Sequence, residues 1–299
     1  MAPDDSTADA EPLYQQPCSR TLIMADFFAH LPATGYVCAH RGARSIAPEN
    51  TLLALELARS CGAALWETDV QMTVDEQLVL FHDRTLGRTT DSARCAAFAG
   101  RRNAPLSDFR SDELQLLDAG SWFLDADPFG TVASGEFDRD HASRVADQKI
   151  PTLRAALDDC RAHNFPVNLE LKGELPAPRA RRRIEVLLAE LARAQCEDLV
   201  LLSSFVHDDL RLIRQLHPTL ATAALVERQH PRDLLDYLAQ LQVAAYHPAQ
   251  EITDAALIAQ LRDAGLRVNT WTVNEPQRMA YFRDAGATFI CTDWPQRML

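Results

Sequence analysis

The stretch Ala64-Leu65-Trp66-Glu67-Thr68-Asp69-Val70-Gln71-Met72-Thr73-Val74-Asp75-Glu76-Gln77-Leu78-Val79-Leu80-Phe81-His82 (residues 64–82) decides how the chain folds. Two strand-like runs, 64–70 and 78–82, flank the short polar link Thr73-Val74-Asp75-Glu76-Gln77. A parallel connection needs about a dozen residues or more, so this link turns the chain back on itself as a hairpin. Seven further apolar runs predict strands at 35–40, 166–172, 198–204, 219–225, 242–247, 267–273 and 287–292. Helical stripes alternate with them: Ile184, Leu187, Leu188 and Leu191 follow the i, i+3, i+4, i+7 rule, and Leu257, Ile258 and Leu261 form another stripe. Alternating strands and helices imply a parallel sheet with helices outside. With 78–82 folded back as the odd strand, the other eight predict an α/β fold, a TIM (β/α)8 barrel.

Residues 84–148 interrupt the alternation. They are rich in Asp, Arg, Ala and Ser and are broken by Gly120, Gly130 and Gly135. They read as an insertion after the second-strand hairpin, lying over one barrel face, with 125–148 as its least ordered part. Pro151-Thr152-Leu153 restarts the helical pattern. The expected organisation is an N-terminal tail and lead-in over 1–34, with 1–20 mobile, and one barrel domain over 35–299.

The chain has 299 residues, 47% of them hydrophobic, enough for one large barrel. A net charge of −12 argues against a nucleic-acid surface. Lysine occurs only at 149 and 172, arginine supplying the rest of the 30 basic residues, so a lysine in a strand segment stands out. Seven dispersed cysteines without a Cys-x-x-Cys pair fit reduced thiols and a cytoplasmic location better than a disulfide framework or a zinc cluster. The start carries Asp4, Asp5, Asp9 and Glu11 where a signal peptide would carry basic residues, so none is expected. No run of about 18 apolar residues exists, so no transmembrane segment is expected.

Candidate chemistry gathers at the predicted strand ends. Glu67 and Asp69 are two apart on a strand and therefore share a face, beside apolar Leu65 and Trp66. Two buried like charges repel unless a cation joins them. Glu170 sits near the end of its own strand, and barrel sites lie at that end. Any one of these carboxylates could be a surface ion pair, but three converging ones suit a hard divalent cation, Mg²⁺ or Ca²⁺. His40 ends the first strand beside Arg41, and His82 precedes Asp83, so two imidazoles should face one cavity as an acid–base pair. A hairpin centred near residue 75 puts His82 roughly opposite Asp69. Lys172 lies two past Glu170, and Lys172 with Arg41 could grip phosphate oxygens. Phe205 and Trp271 are candidates for the pocket rim, and His247 in Tyr246-His247-Pro248 is a weaker one.

These segments carry a resemblance. His40-Arg41-Gly42, Pro48-Glu49-Asn50-Thr51, Glu67-x-Asp69-Val70, His82-Asp83, Leu117-Asp118-Ala119-Gly120-Ser121-Trp122, Pro151-Thr152-Leu153, Glu170-x-Lys172, Trp271-Thr272-Val273-Asn274 and Ile290-Cys291-Thr292-Asp293-Trp294-Pro295 occur in an order that resembles the glycerophosphodiester phosphodiesterase family, in its cytosolic bacterial form. The resemblance implies a barrel of the phospholipase-C-like phosphodiesterase type. It implies Glu67, Asp69 and Glu170 as metal ligands, His40 and His82 as the acid–base pair, Arg41 and Lys172 on the phosphate, and Glu49 as a supporting residue. The implied substrate is a small glycerophosphodiester, cleaved to sn-glycerol 3-phosphate and an alcohol. A lysophospholipase D-like activity and a non-catalytic phosphodiester-binding barrel are the alternatives. One departure is visible: the Asp-Gly turn usual between the second and third strands is Asp75-Glu76 here, which should alter the hairpin slightly.

Overall fold

In the computed structural model, residues 27–29, 31–146 and 148–297 are described. The tail expected over 1–20 lies outside them. The strands are β1 (Tyr36–His40), β2 (Leu65–Met72), β3 (Leu78–Leu80), β4 (Val167–Leu171), β5 (Val200–Ser204), β6 (Ala221–Val226), β7 (Ala245–Pro248), β8 (Arg267–Thr270) and β9 (Phe289–Thr292). Strand β1 pairs in parallel with both β2 and β9, and the order β1-β9-β8-β7-β6-β5-β4-β2 closes an eight-stranded parallel barrel. Strand β3 runs antiparallel on β2, with Val70 opposite Leu80 and Met72 opposite Leu78, so the hairpin forms where the short link requires it.

The outer helices are α1 (Leu52–Ser60), then α2 (Ser111–Leu114), α3 (Ser121–Ala126), α4 (Thr131–Ser134) and α5 (Ala142–Ala146) between β3 and β4. After them come α6 (Leu153–His163), α7 (Ala177–Ala194), α8 (His207–Leu216), α9 (Leu234–Leu241), α10 (Ala255–Asp263) and α11 (Pro276–Asp284). Thr51, Thr152 and Asp254 cap the first turns of α1, α6 and α10 through side-chain oxygens, which satisfies amide donors that the helix itself cannot. No helix among the described residues is long and apolar enough to cross a membrane.

Strand alternation divides two cores. Trp66, Val70, Val167 and Leu169 face outward and pack with helix residues such as Leu157, Ile184 and Leu187. Tyr36, Cys38, Leu65, Leu201, Ala221, Ala223, Ala245, Phe289 and Cys291 fill the barrel interior, joined by Phe27 from the lead-in. The inward residues become polar towards the carboxyl ends of the strands, and that gradient positions the site.

The hairpin turn forms without glycine: Glu76 adopts φ +59°, a left-handed conformation that costs a non-glycine residue roughly 1–2 kcal/mol. Two expectations change. Strand β8 stops at Thr270, and Trp271 makes only an isolated bridge to Ala249. Residues 125–146 carry ordered helices. Phe137 and Val145 are buried in the main core, and Thr131 donates from Oγ1 to the Ser45 carbonyl at 2.6 Å. The polar composition concealed this because a few apolar side chains do the packing. The earlier part of the insertion builds a third core, in which Phe98, Leu106, Phe109, Leu114 and Leu117 pack under Val79 and Phe81 of the hairpin arm.

Two stability measurements follow from this packing. Phe137→Ala should cost about 3–5 kcal/mol in chemical denaturation, the usual penalty for emptying a buried aromatic site; a loss below about 1 kcal/mol would mean the segment is only draped on the barrel. A Cβ on Gly120 would overlap the Val145 carbonyl oxygen, whereas one on Gly87 meets nothing within 4 Å. Gly120→Ala should therefore destabilise by about 1–3 kcal/mol or more, with Gly87→Ala near neutral, and equal denaturation midpoints for the two variants would contradict the close approach.

Candidate active site

Strand register assembles the site. His40 pairs with Glu67 across β1 and β2, and Asp69 pairs with Glu170 across β2 and β4. The period-two alternation of β2 points Glu67 and Asp69 into the barrel while Thr68 and Val70 point away. One ligand oxygen each of Glu67, Asp69 and Glu170 lies within 4.8 Å of the other two. Glu67 and Asp69 are buried, and Glu170 is nearly so.

The sharp exit from β1 contributes through its backbone. Arg41 and Gly42 both have positive φ, +54° and +83°. Gly42 is required there, because a Cβ would come within 2.6 Å of the Ala54 backbone. The turn aims the Arg41 amide at Glu67 Oε2, 3.0 Å away. The Arg41 side chain donates from Nη1 to Glu49 Oε1 at 2.8 Å, and its Nε lies 3.2 Å from Asp69 Oδ2. Asn50 donates from Nδ2 to Asp69 Oδ2 at 2.8 Å. The Asn50 Oδ1 atom accepts from Thr68 Oγ1 at 2.7 Å and from the Asp69 amide at 3.3 Å. Lys172 Nζ donates to Glu170 Oε1 at 2.7 Å and lies 3.5 Å from Asp69 Oδ1.

The three carboxylates respond differently to their shared burial. For Asp69, burial opposes ionisation, but Arg41, Lys172 and the Asn50 hydrogen bond outweigh it and hold the group well below the ordinary carboxylate range. Glu67 is pushed well up by burial and by its neighbours Asp69 and Glu170. Burial and Asp69 also raise Glu170, against the pull of Lys172. Glu67 Oε1 is buried without a hydrogen-bond partner among the described residues. Leaving such an atom unsatisfied costs about 1–3 kcal/mol, and more for a charged group. An all-oxygen donor set with an unpartnered buried oxygen and a surplus of negative charge fits a hard divalent cation.

Both histidines are held in the same manner. His40 Nδ1 lies 2.6 Å from Asp293 Oδ1, and His82 Nδ1 lies 2.7 Å from Asp83 Oδ1. A carboxylate at Nδ1 fixes the ring and leaves Nε2 to act. His40 Nε2 is 3.9 Å from Glu67 Oε2, on the carboxylate side of the ring. Burial, with Arg41, lowers the pKa of His40 despite Asp293. The segment carrying His82 is tied down by Gln71, which donates from Nε2 to the carbonyls of Phe81, His82 and Asp83 at 2.8, 3.2 and 2.8 Å.

Glu49 joins the two halves. It receives Arg41, Arg44 and Arg88, and Arg88 also grips Asp83 at 2.6 Å. Arg44 in turn lies 3.3 Å from Asp293. Phe205 and Trp271 meet edge to face, ring centroids 5.5 Å apart, and form a separate aromatic edge with Phe205 exposed. His247 is no rim residue. It is wholly buried inside the barrel, with both ring nitrogens unpartnered among the described residues, and burial pushes its pKa down to about 3.

Several residues of this arrangement stand in or near the quoted motifs without a role assigned from sequence. Asp293 follows β9 and Asn274 lies in the segment after β8, and Asn274 donates from Nδ2 to Asp293 Oδ2 at 2.7 Å. Asp293 lies two past Cys291, so strand alternation could have pointed it inward. Asn50, Arg44 and Arg88 carried no such periodic signal.

Comparison with known proteins points to one family. Residues 40–297 match the Glycerophosphoryl diester phosphodiesterase family. The uncharacterized protein YqiK of Bacillus subtilis (strain 168) is 32% identical over 268 residues, spanning 87% of this chain and 96% of that protein. The glycerophosphodiester phosphodiesterase of Caldanaerobacter subterraneus subsp. tengcongensis is 29% identical over 269 residues, spanning 88% and 96%. An Oleispira antarctica phosphodiesterase, solved in complex with the product sn-glycerol-3-phosphate, superposes with a TM-score of 0.75 at 28% identity, covering 91% of this chain and 97% of that one. The chain belongs to the glycerophosphoryl diester phosphodiesterase family and is an enzyme that hydrolyses glycerophosphodiesters.

Proposed function

We propose that this enzyme cleaves small glycerophosphodiesters to sn-glycerol 3-phosphate and an alcohol, with a divalent ion held by Glu67, Asp69 and Glu170 and with His40 and His82 as the acid–base pair. One observation carries the reading: three carboxylates within 4.8 Å, one with a buried oxygen unpartnered among the described residues, lie at the strand ends with two histidines whose Nδ1 atoms are each held by an aspartate. Bound there, Mg²⁺ or Ca²⁺ would neutralise charge on a phosphate oxygen. Arg41 and Lys172 would face the remaining phosphate oxygens, and their ties to Asp69 and Glu170 keep them in position before substrate arrives. One imidazole takes a proton from the attacking oxygen and the other gives one to the leaving alkoxide. Asp293 and Asp83 hold the two rings in place at Nδ1. Glu49 supports the site by fixing Arg41, Arg44 and Arg88, and Phe205 with Trp271 walls the substrate pocket. A cytoplasmic setting is part of this proposal, supported by seven dispersed cysteines without a Cys-x-x-Cys pair.

Chelation should abolish turnover of glycerophosphocholine, measured by coupled detection of glycerol 3-phosphate, and added Mg²⁺ or Ca²⁺ should restore it. Full turnover in metal verified as nil would remove the ion from the reading. Replacing His40 or His82 by Ala should lower turnover by about 10²–10⁴-fold while the thermal unfolding curve keeps its shape. Near-native rates in both variants would mean that the acid–base pair lies elsewhere.

A further inference from the structure

A cavity of about 350 Å³ opens beside His82 and Lys172, between the exit of the hairpin and the segment after β4. Its walls include Met72, Arg84, Pro105, Leu175 and Glu174. The early insertion forms the far wall, and that wall is fixed. Arg179 of α7 donates from Nη2 to the carbonyls of Thr73 and Ser107, at 3.2 and 3.0 Å, and the Leu106 amide donates to the Arg84 carbonyl at 2.8 Å.

The charges around this cavity fall into two kinds. Lys172 is bound to Glu170 and Asp69. Arg183, which also lines the cavity, is buried, donates to Asp209 Oδ2 at 2.6 Å and supports the Lys172 and Gly173 carbonyls. Arg84 and Glu174 differ: both are exposed, and neither makes an ion pair or side-chain hydrogen bond among the described residues. The cavity therefore offers one uncommitted cation and one uncommitted carboxylate, next to a proposed catalytic histidine and a proposed phosphate-binding lysine.

We propose that this cavity receives the alcohol portion of the substrate and favours one that is itself a zwitterion, an α-amino acid carrying a carboxylate and a protonated amine, as in glycerophosphoserine. The inference rests on the reading of His82 and Lys172 given above. A guanidinium matches a carboxylate through two parallel N–H donors. A carboxylate matches a primary ammonium through its N–H groups. Ethanolamine offers only the second partner, and glycerol offers neither charge. The trimethylammonium of choline has no N–H to donate.

Two substitutions separate the two contacts, since each should move a different ratio of kcat/KM. The wild-type enzyme should prefer glycerophosphoserine over glycerophosphoethanolamine by about tenfold, the scale of one hydrogen-bonded charge pair. Arg84→Gln should collapse that serine-to-ethanolamine ratio towards one. Glu174→Gln should instead lower the ethanolamine-to-glycerol ratio and leave the serine-to-ethanolamine ratio standing. Calorimetric binding of O-phospho-L-serine and of phosphoethanolamine gives a readout independent of turnover, with the serine compound binding tighter only when Arg84 is present. A flat profile across the four diesters, or ratios that neither substitution moves, would overturn the assignment while leaving diester hydrolysis intact. Arg84-dependent binding of O-phospho-L-serine by a protein that hydrolyses no diester would uphold the cavity and overturn the hydrolytic reading.

Discussion

The parallel register of β1, β2 and β4 is the constraint on which the site depends. It sets His40 beside Glu67 and Asp69 beside Glu170 inside a barrel whose lower interior is apolar. Like charges forced together in a poorly hydrated interior are costly, and the surrounding structure is arranged around that cost. The Arg41 amide and side chain, the Asn50 amide group and the Lys172 ammonium each compensate part of it. The remaining imbalance falls on Glu67, which keeps a raised pKa and an oxygen without a partner among the described residues. A divalent cation of the kind proposed would offset that imbalance.

Around this centre, charge is distributed through shared acidic hubs. Glu49 takes three arginines, while Asp83 takes His82 and Arg88. Asp293 takes His40, Arg44 and Asn274. Each histidine is thereby connected through an aspartate and an arginine to the same glutamate. This geometry fixes both rings through elements distant in sequence, and it couples the hairpin exit to the end of the last strand. Arginine suits the task because its planar fork can serve two carboxylates at once, which the ammonium of lysine does less well.

The insertion divides into two structural roles. Its first part packs a small core under the hairpin arm and walls the cavity beside His82. Its second part packs against the segment after β9, where Phe129 meets Trp294 edge to face and Glu136 pairs with Arg297 at 2.6 Å. It also holds the segment after His40, through Thr131 on the Ser45 carbonyl.

The order of strands and helices and the hairpin needed no tertiary information. Side-chain period and the length of one link set them, and both are local properties of the chain. The inward direction of Glu67, Asp69, Glu170 and Lys172 followed from the same alternation. What alternation cannot state is which strand lies beside which and at what offset, so the pairing of Asp69 with Glu170 and of His40 with Glu67 had to come from the closed barrel. The same holds for Asp293 on His40, 253 positions away in the chain, and for the convergence of Arg41, Arg44 and Arg88 on Glu49. The burial of Phe137 and Val145 was likewise hidden, because a few apolar residues in a polar segment leave no periodic trace. The local chain determined the elements and the direction their side chains face, and barrel closure alone decided which charges meet, because meeting depends on strand offset, which no local pattern encodes.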